Sequence, residues 1–176
     1  MRRLVRPWHF IAFSIPLFLL WEFAARQPWL TGVAHLFAAS GRIVAVRVDV
    51  LEVADGRIRL GYNGVEWIDA FGLTGINIVA YAALVLATAT VRPARRARML
   101  VAGGLVILAT QVLGLWSDIA HVHLASSPAG LGFANGLRAL LTGFGTFLFP
   151  FGVWLYFVRD RLSLPHRAAR TGANRT

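Results

Sequence analysis

Between two long apolar runs lies Val91-Arg92-Pro93-Ala94-Arg95-Arg96-Ala97-Arg98, four arginines in seven residues. The run before it covers about 70–91 and the run after it about 99–117. Each is close to the roughly 20 residues with which an α-helix crosses a bilayer. Basic residues between two such runs are retained on the cytoplasmic side, so the stretch reads as an inside loop. That assignment orients the rest of the chain.

The 176 residues are 57% hydrophobic, with a mean hydropathy of +0.61. The apolar segments are uniform rather than amphipathic, which points to one integral membrane domain. The formal charge of +10 is explained by arginine gathered at membrane margins, and the reading includes no nucleic-acid partner. All eighteen basic residues are arginine, and there is no cysteine. Disulfides, thiolate nucleophiles and cysteine-held metals are therefore absent. Met1-Arg2-Arg3 and the following apolar run resemble a signal peptide. No small-x-small cleavage site follows, so an uncleaved first helix is expected.

Four spans are expected, at about 8–25, 70–91, 99–117 and 137–158, with a basic tail over 159–176. Pro16 and Pro150 should bend the first and last, Ser14 being one group that could take up the carbonyl freed by Pro16. Glu22 falls near the outer end of the first span, one turn from Arg26. Residues 27–40 have helical apolar spacing and read as an amphipathic helix on the outer leaflet or an extension of the first span. The inside segments carry twelve arginines and one acid; the outside segments carry six arginines and seven acids. Both termini are thus expected on the cytoplasmic side of the membrane.

Residues 41–69 form the expected extracytoplasmic β loop. Val44, Val46, Val48 and Val50 alternate with Arg47 and Asp49, and a second alternating run covers Arg57 to Tyr62. Asp55-Gly56 and Asn63-Gly64 supply hairpin turns, the second leading to Val65 and Trp67. Such a cap is a docking surface with a strand edge open to a membrane-protein partner. Its candidate contact residues are Arg47, Asp49, Arg57, Arg59, Tyr62 and Trp67. Asn77 and Gln111 are polar positions within spans, suited to interhelical hydrogen bonds. Arg138 lies at the outer end of the last span.

One polar constellation has catalytic or metal-binding character: Asp118, His121 and His123, with Arg138 opposite. Imidazole suits zinc or copper, and Asp118 and His121 share a helix face. His121 and His123 share one only on extended chain. The competing reading is an interfacial cap meeting water and headgroups. Haem would need histidines at mid-membrane on facing helices, and no span carries one there. Ser126 and Ser127 lie near the histidines without a nucleophile elbow. No cofactor is expected.

The layout of one span, a β-rich outer loop and three further spans resembles the exosortase-H-associated membrane proteins. The residues carrying the resemblance are the Val44–Tyr62 strands, Gly75-Ile76-Asn77-Ile78-Val79-Ala80-Tyr81 and Gly114-Leu115-Trp116-Ser117-Asp118. The resemblance implies an accessory role beside an exosortase, a membrane transpeptidase that depends on cysteine. It carries over no catalytic residue. The leading expectation is a non-enzymatic membrane protein presenting its β loop to a partner. The alternative is a metal enzyme or metal handler using Asp118, His121 and His123.

Overall fold

The computed structural model describes residues 7–43, 47–54, 57–62, 65–70, 76–89, 91–124 and 127–162. Most of them are helical. The order is α1 (Pro7–Leu20), a π-helical turn (Trp21–Ala25), α2 (Arg26–Ile43), β1 (Val48–Ala54), β2 (Arg57–Tyr62), β3 (Val65–Ala70), α3 (Ile76–Ala87), α4 (Pro93–Leu124), α5 (Pro128–Arg138), a second π turn (Ala139–Phe144) and α6 (Gly145–Leu162). The tail 163–176 lies outside the described residues.

Both π turns join helices rather than end them. Around the first, Leu20 and Arg26 keep right-handed helical backbone, and the Arg26 N–H reaches back to the Trp21 carbonyl. The result is one 37-residue helix from Pro7 to Ile43. Residues 27–40 are therefore an extension of the first apolar helix, not a separate element. The second π turn links α5 to α6 in the same way, through the Gly145 N–H and Leu140 carbonyl. A β-carbon at Gly145 would press on the Phe149 ring and on that same carbonyl, so glycine suits the bulge. In α1, the Ser14 hydroxyl donates to the Phe10 carbonyl at 2.8 Å. The carbonyl that Pro16 leaves without a donor is that of Ala12, so Ser14 does not serve it.

Two helices are long and apolar enough to cross a membrane, Pro7–Ile43 and Pro93–His121. Asn77–Ala87 and Leu148–Arg159 are shorter apolar helices, standing where spans at 70–91 and 137–158 were expected.

The arginine-rich stretch is not a loop. Pro93 opens α4, and Arg95, Arg96 and Arg98 occupy its first two turns. Proline is suited to a first helical turn, where its missing N–H would have had no partner. Two of the arginines bind carbonyls of neighbouring elements. Arg95 donates to the Phe157 carbonyl at 2.8 Å, and Arg96 to the Thr88 carbonyl, just past the end of α3, at 2.9 Å. At Thr88 the cation satisfies an acceptor that the end of α3 leaves open and favours its dipole, while Arg95 ties α4 to a carbonyl inside α6.

The strands form one antiparallel sheet in the order β1-β2-β3. Ala54 pairs with Arg57 and Tyr62 with Val65, so two residues connect each pair of strands. Those residues, Asp55-Gly56 and Asn63-Gly64, lie outside the described residues. The alternation expected from Arg42 onward is corrected at its start, because Arg42 and Ile43 belong to α2; residues 44–46 are not described. The alternation also breaks within β1, where a bulge shifts the register between Val50 and Glu52. One extra residue flips the parity of the strand. Val48, Val50 and Val53 consequently all pack on the core, while Glu52 pairs with Arg59.

Two cores result. At the sheet end, Leu30, Val33 and Phe37 of α2 close on Val48, Ile58 and Leu60 of the sheet and on Leu115 and Ile119 of α4. At the arginine end, Tyr81 and Val85 of α3 close on Val91, on Met99 and Ile107 of α4 and on Trp154 and Val158 of α6. α4 runs through both and ties them together.

Candidate functional site

The sheet rests on the helices by one face. Ile58 and Leu60 are fully buried there, and Tyr62 packs against the same core. Successive strand residues point to opposite faces, so Arg57 and Arg59 face away from the helices. Arg59 meets Glu52 across the strands at 3.1 Å. Arg47, just before β1, lies 3.5 Å from Asp49. All four of these ion-pair groups are substantially exposed, so the pairs add little stability and mark a hydrated surface. Of the six expected docking residues, Arg47, Asp49, Arg57 and Arg59 stand on that surface. Tyr62 instead belongs to the core. Trp67 pairs with Leu60 in the ladder, and the description of its side chain ends there.

A polar recess of about 360 Å3 opens between α2 and β1, lined by His35, Arg42, Arg47 and Asp49 among others. It extends the charged surface around the sheet's first edge. Gln27 holds that edge from beneath by donating its side-chain amide to the Val53 carbonyl.

Asp118, His121 and His123 all lie on α4. Residues two apart on an α-helix are about 200° apart around the axis, so His121 and His123 face different ways. His123 is exposed and His121 half-buried, with a buried Nδ1 that has no hydrogen-bond partner. Asp118 is engaged by α5: Arg138 Nε lies 2.8 Å from its Oδ1. Among the described residues no group of three or more histidine or acidic side chains is placed to hold a metal ion. Arg138 lies within the continuous α5–α6 helix, at the entry to the π turn and just before the apolar run 139–158. Its function in the structure is to fasten α5 to α4. α5 itself starts at Ser127, whose hydroxyl accepts the Gly130 N–H at 3.4 Å.

Asn77 and Gln111 meet as expected of polar groups on packed helices. Gln111 donates to Asn77 Oδ1 at 3.3 Å and accepts from Trp29 Nε1 at 2.8 Å. The chain Trp29–Gln111–Asn77 thereby joins α2, α4 and α3 in one line. Nearer the sheet, Trp116 Nε1 donates to the Ser40 hydroxyl at 2.9 Å, a second link between α4 and α2. No local signal in the sequence pairs Trp29 or Trp116 with partners more than seventy residues away.

The assembled features are a charged sheet face, a braced platform beneath it and a locked helical hairpin beside it, without a ring of ligands or a nucleophile–base pair among the described residues. No family model, no curated protein and no solved structure matches the chain.

Proposed function

We propose that the protein is a non-catalytic, four-span membrane protein that offers the outward face of its sheet to a membrane partner. The observation that carries this reading is the one-sided attachment of the sheet: its apolar face is spent on α2 and α4, while Arg57 and the Arg59–Glu52 pair lie on its opposite face and the exposed Arg47–Asp49 pair rims the recess beside α2.

Helix lengths support the membrane arrangement. At 1.5 Å per residue, Pro7–Ile43, α4 and the joined α5–α6 run about 55, 48 and 52 Å, against a bilayer core of about 30 Å. With crossings at about 8–25, 99–117 and 139–158, the long helices extend past the membrane at the sheet end by about 27, 10 and 16 Å. The overhangs make the platform on which the sheet docks. The uncharged runs 70–91 and 139–158 supply the remaining two crossings, and the arginine end of the bundle faces the cytoplasm by the retention of positive charge.

The layout's resemblance to exosortase-H-associated proteins supplies the partner class: a membrane transpeptidase of the exosortase type in a bacterial inner membrane. The test is affinity capture in mild detergent after co-expression with a co-encoded transpeptidase. Arg57→Glu/Arg59→Glu should abolish recovery while membrane insertion and thermal stability are retained. Recovery equal to that of the native chain would remove the docking role. Among the described residues no group of three or more histidine or acidic side chains supports the metal alternative.

A further inference from the structure

α4 and α6 run past each other in opposite directions at the arginine end. Arg95 donates to the Phe157 carbonyl at 2.8 Å, so the first turns of α4 stand level with the last turns of α6. Further along the pair lies an apolar cleft, lined by Ala102 and Val106 of α4 and by Phe149, Gly152, Tyr156 and Phe157 of α6, among others. Each helix places one cation at the mouth of this cleft. Arg159 lays its guanidinium over the Tyr156 ring, 4.5 Å from the centroid. Arg98 precedes Ala102 by one turn on the same face of α4, and a helical side chain leans toward the N-terminus, here the arginine end. Arg98 is exposed and makes no ion pair or hydrogen bond among the described residues.

The chain supplies little counter-charge here. Stretches 1–6, 91–98 and 159–176 carry twelve arginines and a single acid, Asp160. Within them, 1–6 and 163–176 lie outside the described residues and hold six of the arginines and no acid, so neither segment can neutralise the mouth by covering it. A purely apolar helix of a partner would fill the cleft and leave both guanidiniums at its edge without an anion. Cations above an apolar cleft call instead for an amphiphile, negative at one end and hydrocarbon at the other. The guanidinium offers paired planar donors that match phosphate oxygens. Tyr156, 59% exposed, suits the membrane–water interface, which puts Arg159 at headgroup depth. With the arginine end at the cytoplasmic surface, anionic phospholipid is the membrane component that draws basic residues into that plane.

We propose that Arg98 and Arg159 hold the phosphate of one anionic phospholipid of the cytoplasmic leaflet at the mouth of the α4–α6 cleft. The site rests on the membrane reading above, and the test separates the two. The full chain is reconstituted in vesicles of equal parts phosphatidylcholine and phosphatidylglycerol, washed at alkaline pH and extracted in neutral detergent, and the lipid retained per chain is counted by native mass spectrometry. The native chain should keep one phosphatidylglycerol, preferred over phosphatidylcholine by about fivefold for each arginine. Arg98→Gln/Arg159→Gln should bring the two lipids to near parity. Arg167→Gln/Arg170→Gln, the same loss of two charges in the tail, should keep the preference. Arg98→Gln alone changes an exposed side chain with no bond in the fold, and should lose part of the preference even if the double variant fails to insert. Equal retention of both lipids by the native chain overturns the site, as does an unchanged preference in Arg98→Gln. An equal loss in the tail variant overturns it too, because bulk charge then suffices. Displacement of the lipid by excess inorganic phosphate assigns the arginines to a soluble anion and overturns the lipid. A chain removed from the vesicles by the wash refutes the membrane reading and the site together, whereas a chain that stays without preference refutes the site alone.

Discussion

The Tyr81 ring occupies the space that a β-carbon at Gly103 would need, and its hydroxyl donates to the Met99 carbonyl one turn earlier on α4 at 2.6 Å. Tyr81 is almost wholly buried by this insertion, which seats α3 against α4. The neighbouring Gly104 has open space around it. The two adjacent glycines therefore have different roles. Gly103→Ala should destabilise the protein by about 1–3 kcal/mol through overpacking, whereas Gly104→Ala should be neutral or slightly stabilising through helix propensity. Thermal unfolding in detergent compares them directly. Equal effects would show that Tyr81 does not occupy that slot.

Gln111 carries the line between Trp29 and Asn77. Gln111→Leu removes both hydrogen bonds and leaves Asn77, 5% exposed, short of a partner. Interhelical hydrogen bonds in bilayers are worth about 0.6–2 kcal/mol each. A loss of about 1–3 kcal/mol is expected on that basis and on the penalty for a buried unpaired amide. Asn77→Leu on the Gln111→Leu background should cost less than Asn77→Leu alone. Additive effects in this double-mutant cycle would show that the two amides do not interact.

Asp118 and Arg138 differ in burial, with side chains 11% and 51% exposed. Removing the arginine takes a cationic contact from a largely buried carboxylate; removing the carboxylate takes a contact from an arginine that already reaches water. Arg138→Gln should therefore destabilise by about 1–3 kcal/mol, and Asp118→Asn by less. The double variant should recover part of the loss from Arg138→Gln. The reverse order of effects would mean that Arg138, rather than Asp118, is the desolvated partner.

The elements best read from the sequence were those with local causes. Strand alternation and the turn dipeptides located the sheet, and uniform apolarity located the helices. The bulge in β1 was hidden because one inserted residue leaves composition unchanged while reversing the faces beyond it. The arginine stretch was misread as a loop because charge reports on the side of a membrane, not on backbone conformation. Pro93 fits both a loop and a first helical turn, and the carbonyls of Thr88 and Phe157 that claim Arg96 and Arg95 are set by tertiary packing. The candidate site followed the same division. Arg57 and Arg59 were placed by strand parity alone, but Tyr62 shares the parity of Ile58 and Leu60 and goes to the core. His121 and His123 face different ways because α4 continues unbroken to Leu124.

The arginine end provides the last prediction. Arg96 bonds the Thr88 carbonyl, and the Thr88 hydroxyl accepts from Trp154 Nε1 at 2.8 Å while donating to the Leu84 carbonyl at 2.7 Å. Arg96 thus fastens α4 to the end of α3, and Trp154 fastens α6 to the same residue. A role limited to charge would be preserved by Arg96→Lys and lost by Arg96→Gln. If the guanidinium reaches the carbonyl, Arg96→Lys should lose part of the stability as well, because an ammonium presents its donors on a different geometry. Orientation should survive both changes, since three arginines remain in the stretch. The absence of native cysteine makes the check clean: a single cysteine at Ala97 is labelled from the cytoplasmic side, and one at Arg57 from the opposite side. Unfolding in detergent should then rank the native chain above Arg96→Lys and Arg96→Gln, with labelling unchanged in both. Loss of orientation without loss of stability would reverse this assignment.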